Sequence, residues 1–224
     1  MVKFQNKYRS ETTRAQWWNY ANDGAYFITI CTSGREWLFG EIIVETNGRA
    51  SLQLSPIGEI VYQEWNVSFD MRAELFCDTF VIMPNHIHAI LRIANGNSGT
   101  NGGSQGIVGS HGNVGSHGIV GTHGIAGTHG RASLPTSTQP TPPPNNTGVA
   151  YRSPKSISSF VAGFKSAATK RINEFRNSPK TPVWQTRFHD HIIRNDTEYQ
   201  RIFNYIETNI ENWEKDKFFK NEEL

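Results

Sequence analysis

Runs of apolar residues predict the strands of this chain. The run over 25–33 is rich in aromatic and β-branched residues and ends at a Ser-Gly turn signal, which predicts a largely buried strand. Two more runs flank the Asn-Gly pair at 47–48, which readily adopts the positive φ angles of a hairpin turn. The stretch over 74–93 predicts two strands joined by a turn at 84–85, because proline cannot donate a hydrogen bond to a central ladder.

Apolar residues at helical spacing predict three helices. Ser55 can cap the first helix, with Pro56 at its first position. The second is expected over 153–176, with apolar positions at Ile157, Phe160, Val161, Phe164, Ala168, Ile172 and Phe175. Asp196 or Thr197 can cap the third, with apolar positions at Tyr199, Ile202, Phe203, Ile206, Ile210 and Trp213. The run over 184–195 predicts a connector or a short strand.

Together these elements predict an α+β domain. We expect an antiparallel sheet of four to five strands with helices mainly on one face and with the last helix near the strand that holds residues 86–88. The domain is expected to be discontinuous, formed by residues 1–94 and 150–213. The tail over 214–224 is expected to fray.

Residues 95–149 have the composition of a low-complexity insert. They contain 14 of the 20 glycines, 5 of the 10 prolines and one charged residue, Arg131. A six-residue repeat places histidines at regular intervals, at His111, His117, His123 and His129. A metal-binding array or a β-helix is one interpretation, but the repeats offer few bulky residues to stack inward. We favour a flexible linker that can be replaced by a short one without loss of activity.

Composition and charge favour a soluble intracellular protein. No run reaches the roughly 18 apolar residues of a membrane span, and the start has charges where a signal peptide needs an apolar core. Cys31 and Cys77 lie in apolar runs and are expected as buried free thiols. Residues 150–194 hold nine Lys or Arg against two Asp or Glu, which is a weak indication of a polyanionic partner.

The pair His86 and His88 is the first chemical signal. On a strand, residues i and i+2 point to the same face, so both imidazoles can converge on one ion while Ile87 packs on the other face. The turn before them predicts a bend or a sheet edge where these side chains reach solvent. Two purely structural histidines are the competing interpretation. A histidine-triad nucleotide hydrolase would need a third histidine at the position of Ile90.

Tyr205 and Asn209 are the second signal, because they lie one helical turn apart beside the apolar stripe of the last helix. A tyrosine at such a border is usually there for packing. The pairing points to chemistry, since an amide could help to hold a metal while the phenol reaches an atom that the metal activates. Tyr199 is the rival nucleophile, but it lies within the stripe and is expected in the core.

Four motifs in this order resemble the single-tyrosine HUH transposases, and among them the REP-associated tyrosine transposases. The motifs are GAYFITICTSGREWLFGEI from residue 24, MPNHIHAI from residue 83, WQTRFHDHIIRN from residue 184 and YIETN from residue 205. The resemblance covers about residues 7–94 and 150–213. It implies an HUH-endonuclease fold, which is ferredoxin-like or RRM-like.

The resemblance also implies an activity. His86, His88 and Asn209 would bind a divalent ion, Mg²⁺ or Mn²⁺. Tyr205 would attack single-stranded or hairpin DNA, form a 5′-phosphotyrosine intermediate and transfer the strand. A cytoplasmic, nucleoid-associated protein of prokaryotic type follows, and a homodimer stays open because some relatives share sites in trans. The chain departs from many relatives in having Ile210 after the amide and in its long insert.

The alternative is a domesticated, sequence-specific DNA-binding protein that no longer cleaves. In either case DNA contacts are expected from basic and aromatic residues. In the N-terminal arm, which could instead cover the sheet, these are Lys7, Arg9, Arg14 and Trp17. On the outer face of the second helix they are Lys165, Lys170 and Arg171. The motif from residue 184 adds Arg187, His191 and Arg194.

Overall fold

The computed structural model describes the backbone of residues 3–4, 7–8 and 120–121, and residues 18–46, 48–95 and 153–219 in full. The strands are β1 (Lys3–Phe4), β2 (Lys7–Tyr8), β3 (Gly24–Cys31), β4 (Gly40–Val44), β5 (Ala50–Leu54), β6 (Leu75–Met83), β7 (His86–Ile93), β8 (Val120–Gly121) and β9 (His189–Ile193). The helices are α1 (Pro56–Asp70), α2 (Ile157–Phe175) and α3 (Asp196–Glu207). Over these residues, no helix combines the length and the apolar character that crossing a membrane requires.

The central sheet is antiparallel, in the order β6-β7-β3-β9, and the two-residue β8 pairs with the outer edge of β6. The hairpin of β4 and β5 forms a separate two-stranded sheet, as the Asn-Gly turn predicted. The α+β fold with a four- to five-stranded antiparallel sheet is therefore confirmed. The strand with the two histidines, β7, is bonded on both sides, so it is an interior strand of this sheet.

The register of β6 and β7 separates the two faces of the sheet. Phe80 lies opposite Ala89 and Val81 lies opposite His88, so alternate residues point to opposite faces. On the Phe80 face, Trp65 of α1 packs 5.5 Å from the Phe80 ring and 5.1 Å from the Phe164 ring of α2. Helix α3 packs on the His88 face. Two of the three helices thus share one face, and the third covers the histidines.

Polar side chains fix where the helices begin. Ser55 accepts a hydrogen bond from the Gly58 amide at 3.0 Å, which confirms the predicted cap of α1. The cap of α3 is Asn195, whose side chain accepts from the Glu198 amide at 2.8 Å, one residue earlier than predicted. Helix α3 ends at Glu207. Ile210 and Trp213 are still buried, so the apolar stripe continues past the helix into the following turns.

Two helical glycines provide a matched test of the packing between α1 and the β4–β5 hairpin. A Cβ added at Gly58 would lie 2.0 Å from the Phe39 carbonyl oxygen, whereas one added at Gly163 meets nothing within 4 Å. Gly58→Ala should therefore lower the free energy of unfolding by about 1–3 kcal/mol through overpacking. Gly163→Ala should raise it by about 0.5–1 kcal/mol through helix propensity. Urea unfolding midpoints decide the signs, and equal effects at both glycines would contradict this packing.

Candidate active site

His86 and His88 point to the same face of β7, with ring centroids 4.4 Å apart, as strand alternation predicted. Their exposed fractions are 0% and 1%, so the expectation that they reach solvent is wrong. The physical reason is the chain after α3. Its Trp213 and Phe218 rings lie 6.0 Å and 4.5 Å from the His86 ring and cover that end of the strand.

The ring nitrogens of the two histidines have different partners. His86 Nδ1 is 2.8 Å from the Asn85 side-chain oxygen, and among the described residues His86 Nε2 has no hydrogen-bond partner. His88 Nδ1 is 2.9 Å from the Thr29 hydroxyl, and His88 Nε2 is 3.1 Å from the Tyr205 hydroxyl. Both Nδ1 atoms are thus held by neighbours. The Asn85 oxygen can only accept, so the neutral His86 carries its hydrogen on Nδ1 and has a free lone pair on Nε2.

Burial keeps both imidazoles neutral. Loss of water contact lowers the pKa of His86 to about 3, and the nearby cations Lys217 and Arg35 act in the same direction. Burial likewise lowers the pKa of His88 well below its usual value, with His86 as the next cause. Neutral imidazoles keep the lone pairs that metal ligation and hydrogen bonding need.

Tyr205 lies on the exposed side of α3, and 40% of its surface is accessible. Its hydroxyl contacts His88 Nε2 and donates to Asp216 Oδ2 at 2.9 Å. Burial raises the pKa of this phenol above its ordinary value, and the Asp216 carboxylate adds to the shift. The phenol therefore keeps its proton at neutral pH. All these contacts lie within one chain, so the arrangement needs no second subunit to bring Tyr205 to the histidines.

Asn209 and Asp216 complete the cluster. Asn209 is buried just after α3, and its amide nitrogen donates to Asp216 Oδ2 at 3.3 Å. Its side-chain oxygen is buried with no hydrogen-bond partner in the described part of the chain. Ligand atoms of Asp216, His86 and His88 all lie within 4.8 Å of one another. Asp216 was missed from the sequence because it lies in the segment that we expected to fray.

The expected fraying does not apply to residues 214–219. Phe218 is buried against His86, and its carbonyl oxygen accepts from the Asn85 amide at 2.8 Å. The backbone N–H of Phe218 donates in turn to Asp216 Oδ1 at 2.8 Å, which holds the carboxylate next to the Tyr205 hydroxyl. The two adjacent phenylalanines in this tail were the sequence signal for packing.

The donor set fits a divalent ion of borderline hardness. His86 Nε2 and the Asn209 oxygen are buried acceptors without a hydrogen-bond partner among the described residues, a state that costs free energy unless a cation or a donor satisfies them. Imidazole nitrogen suits Mn²⁺ better than Mg²⁺, and amide or carboxylate oxygen suits both. The residues present can therefore hold the ion that the sequence led us to expect.

The other tyrosine and histidine candidates lie apart from this cluster. Tyr199 donates to Asp78 at 3.0 Å and stacks on Phe203, which agrees with its expected packing role. His191 lies on the same sheet face as His88 but is 2.8 Å from Glu198 Oε1, a contact that ties β9 to α3. His189 is exposed on that face, and its ring lies 6.3 Å from Phe27. Phe27 in turn contacts the Tyr205 ring.

The basic residues expected to contact DNA fall into three situations. Lys165 is partly buried and donates to the Gln185 carbonyl at 2.8 Å, and Arg171 pairs with Glu64 of α1 at 2.7 Å. Both cations thus have partners within the protein, and their contact with DNA stays a prediction. Lys170, Arg187 and Arg194 are exposed. The side chains of Lys7, Arg9, Arg14 and Trp17 lie outside the described residues.

Comparison with known proteins finds an uncharacterized relative and a solved structure of similar architecture. An uncharacterized protein of Haemophilus influenzae is 30% identical over 206 residues, which are 92% of this chain and 91% of that protein. The chain therefore belongs to the same family as this protein. Among solved structures, a REP-associated tyrosine transposase bound to a REP hairpin aligns with 90% of this chain and 72% of its own, at 16% identity and a TM-score of 0.47. No protein-family model matches the chain.

Proposed function

We propose that this chain is a metal-dependent DNA transposase that cleaves and transfers single strands through a 5′-phosphotyrosine at Tyr205. The observation that carries the proposal is the contact between the Tyr205 hydroxyl and His88 Nε2, at 3.1 Å, beside a second buried histidine and a carboxylate. A nucleophile held against candidate metal ligands is the arrangement that metal-assisted phosphoryl transfer requires. Hairpin or repeat-derived DNA as substrate rests on the four sequence motifs.

His86, His88 and Asn209 are the proposed ligands. A divalent ion held there would offset the negative charge of a nonbridging phosphate oxygen, which otherwise repels a nucleophile. Because all three ligands are neutral, they would leave the charge of the ion undiminished. The buried Asn209 oxygen supports its assignment, since it has no hydrogen-bond partner among the described residues.

Asp216 is proposed to accept the phenol proton. It already receives the Tyr205 hydroxyl hydrogen at 2.9 Å, and the raised pKa of Tyr205 means that the phenol needs such a base. The Tyr205 oxygen would bond to phosphorus while the bond from phosphorus to the 3′-oxygen breaks. The phenol loses one proton to Asp216, and the leaving 3′-oxygen gains one proton to become a hydroxyl, so the protons of the step balance.

The phosphotyrosine retains the energy of the cleaved phosphodiester. A second 3′-hydroxyl can therefore attack it, restore a phosphodiester and release Tyr205 without ATP. This exchange distinguishes a strand-transfer enzyme from a nuclease, in which water would take the place of the second hydroxyl.

The direct test uses the full chain and a 5′- or 3′-labelled hairpin oligonucleotide with single-stranded flanks. With Mn²⁺ we expect a covalent adduct that survives denaturing electrophoresis and carries only the label on the 3′ side of the cleaved bond. EDTA should prevent it. Binding without any adduct, over hairpins of varied flanking sequence and with Mn²⁺ or Mg²⁺, would favour the domesticated DNA-binding protein.

DNA binding should depend more on Lys217 than on Lys170. Lys217 is exposed beside the cluster, and its charge acts on His86, His88 and His189, whereas α2 with Lys170 packs on the opposite face of the sheet. Lys217→Ala should weaken single-strand binding and reduce the salt slope by about 0.7 for each phosphate that the lysine neutralises. Lys170→Ala is the matched control. If only the control loses affinity across a salt titration, the DNA path lies along α2.

A further inference from the structure

Asn85, in the turn between β6 and β7, uses its whole side chain in hydrogen bonds. Its amide nitrogen donates to the carbonyl oxygens of Phe218 at 2.8 Å and Arg35 at 3.2 Å. Its oxygen is 2.8 Å from His86 Nδ1. The residue is buried, so all these contacts are shielded from water. One side chain thus links the β3 exit loop, the β6–β7 turn and the segment after α3.

The chemistry of these partners fixes the orientation of the amide. Carbonyl oxygens only accept, so the NH₂ group must face Phe218 and Arg35, and the amide oxygen must face His86. An amide oxygen cannot donate. The hydrogen in the contact with His86 must therefore sit on Nδ1, and a neutral imidazole with Nδ1–H has an unprotonated Nε2.

We propose that Asn85 is a positioning residue that holds the hydrogen of His86 on Nδ1 and so presents Nε2 as a ready metal ligand. The metal part of this inference rests on the proposed function, but the tautomer does not. A histidine ligand commonly donates its other ring hydrogen to an oxygen that fixes its orientation. Here that oxygen is itself held in place by two backbone carbonyls on other segments.

His88 provides the contrast within the same site. Its Nδ1 contacts the Thr29 hydroxyl at 2.9 Å, and a hydroxyl can either donate or accept. The Tyr205 hydroxyl gives its hydrogen to Asp216, so its oxygen accepts at this contact and the metal-free His88 carries its hydrogen on Nε2. The neighbours of His88 therefore favour the opposite tautomer from that of His86. Thr29→Val removes the hydroxyl at nearly constant volume and is the matched control.

The first measurement is ¹⁵N NMR of the histidine rings in metal-free protein at neutral pH, with the His86 signals identified by their loss in His86→Gln. Protonated and bare ring nitrogens have well separated frequencies. We expect His86 to be Nδ1–H in the parent protein and in Thr29→Val. Asn85→Asp keeps the acceptor and should keep this tautomer, although it loses both donated bonds. Asn85→Ala removes this acceptor and should allow His86 to shift toward the Nε2–H tautomer.

The second measurement is calorimetric titration with Mn²⁺. Asn85→Ala should bind about 10–100-fold more weakly, as outer-shell changes at metal sites do, and Asn85→Asp should recover much of that loss. If Asn85 were purely structural, Asn85→Asp would bind Mn²⁺ no more tightly than Asn85→Ala, because Asp cannot make the bonds to Arg35 and Phe218. If Asn85→Ala does not fold, Asn85→Asp still decides the tautomer.

Three results would overturn the inference: Nε2–H in the parent protein, Nε2–H in Asn85→Asp, or an unchanged tautomer and Mn²⁺ affinity in folded Asn85→Ala. A parent protein that binds no Mn²⁺ would refute the metal site and the proposed function. The NMR result would then still decide the role of Asn85 toward His86.

Discussion

Tyr205→Phe should abolish the covalent adduct with labelled DNA, because it removes the phenol oxygen that we propose bonds to phosphorus. The expected loss is complete, since no other hydroxyl of the described side chains contacts His88 Nε2. Tyr199→Phe is the matched control on the same helix. Its hydroxyl donates to Asp78 rather than to the histidine cluster, so its removal should leave adduct formation near the parent level.

Stability must be measured beside activity in both variants. Tyr205→Phe removes the hydroxyl that bonds to His88 and Asp216, and the loss of a hydrogen bond costs about 0.5–1.5 kcal/mol. Because Tyr205 is 40% exposed, no large cavity forms, and the protein should remain folded at assay temperature. An adduct that persists in folded Tyr205→Phe, and that vanishes in Tyr199→Phe, would assign the nucleophile to Tyr199.

The elements of the fold were predictable because their signals are local. The Asn-Gly turn, the Ser55 cap and the strand break at 84–85 each depend on residues within a few positions of one another. The convergence of His86 and His88 was also predictable, since strand alternation alone places them on one face. Tyr205 and Asn209 could be paired by helical spacing, although Asn209 lies just past the end of α3.

What could not be predicted is set by contacts between distant segments. Asp216 lies 11 residues from Tyr205 along the chain and 2.9 Å from it in space, and only the turn after α3 brings them together. The bond from Asn85 to the Phe218 carbonyl spans 133 residues. Lys165 and Arg171 show the same limit. The local sequence of a basic helix does not distinguish a cation that binds DNA from one that pairs within the protein, as these two do.

Burial of the histidines changes what their replacement should do to stability. Partly solvated ligands could be truncated at little cost, but His86 and His88 are 0% and 1% exposed. His86→Ala and His88→Ala should each lower the metal-free free energy of unfolding by about 2–4 kcal/mol, through a cavity and a broken hydrogen bond. That effect alone would not distinguish a ligand from a core residue.

The distinction comes from the response to Mn²⁺. An ion that binds only the folded state stabilises it by about 2.7 kcal/mol at 100 times Kd, and each kcal/mol is about 2–4 °C in Tm for a protein of 150–250 residues. The parent protein should show this rise in thermal melts. This Mn²⁺-induced rise in Tm should vanish in His86→Ala and His88→Ala. In Asn209→Ala the rise should be reduced but not lost, because a water can replace the amide oxygen.

His191→Ala is the control for this last experiment. It removes an imidazole from the same sheet face, but that imidazole contacts Glu198 and is not part of the cluster formed by His86, His88 and Asp216. Its Mn²⁺-induced rise in Tm should equal that of the parent protein. If instead both His86→Ala and His88→Ala retain the full rise while His191→Ala loses it, the ion binds at the β9 edge. Tyr205 would then lack the neighbouring positive charge on which its proposed attack depends.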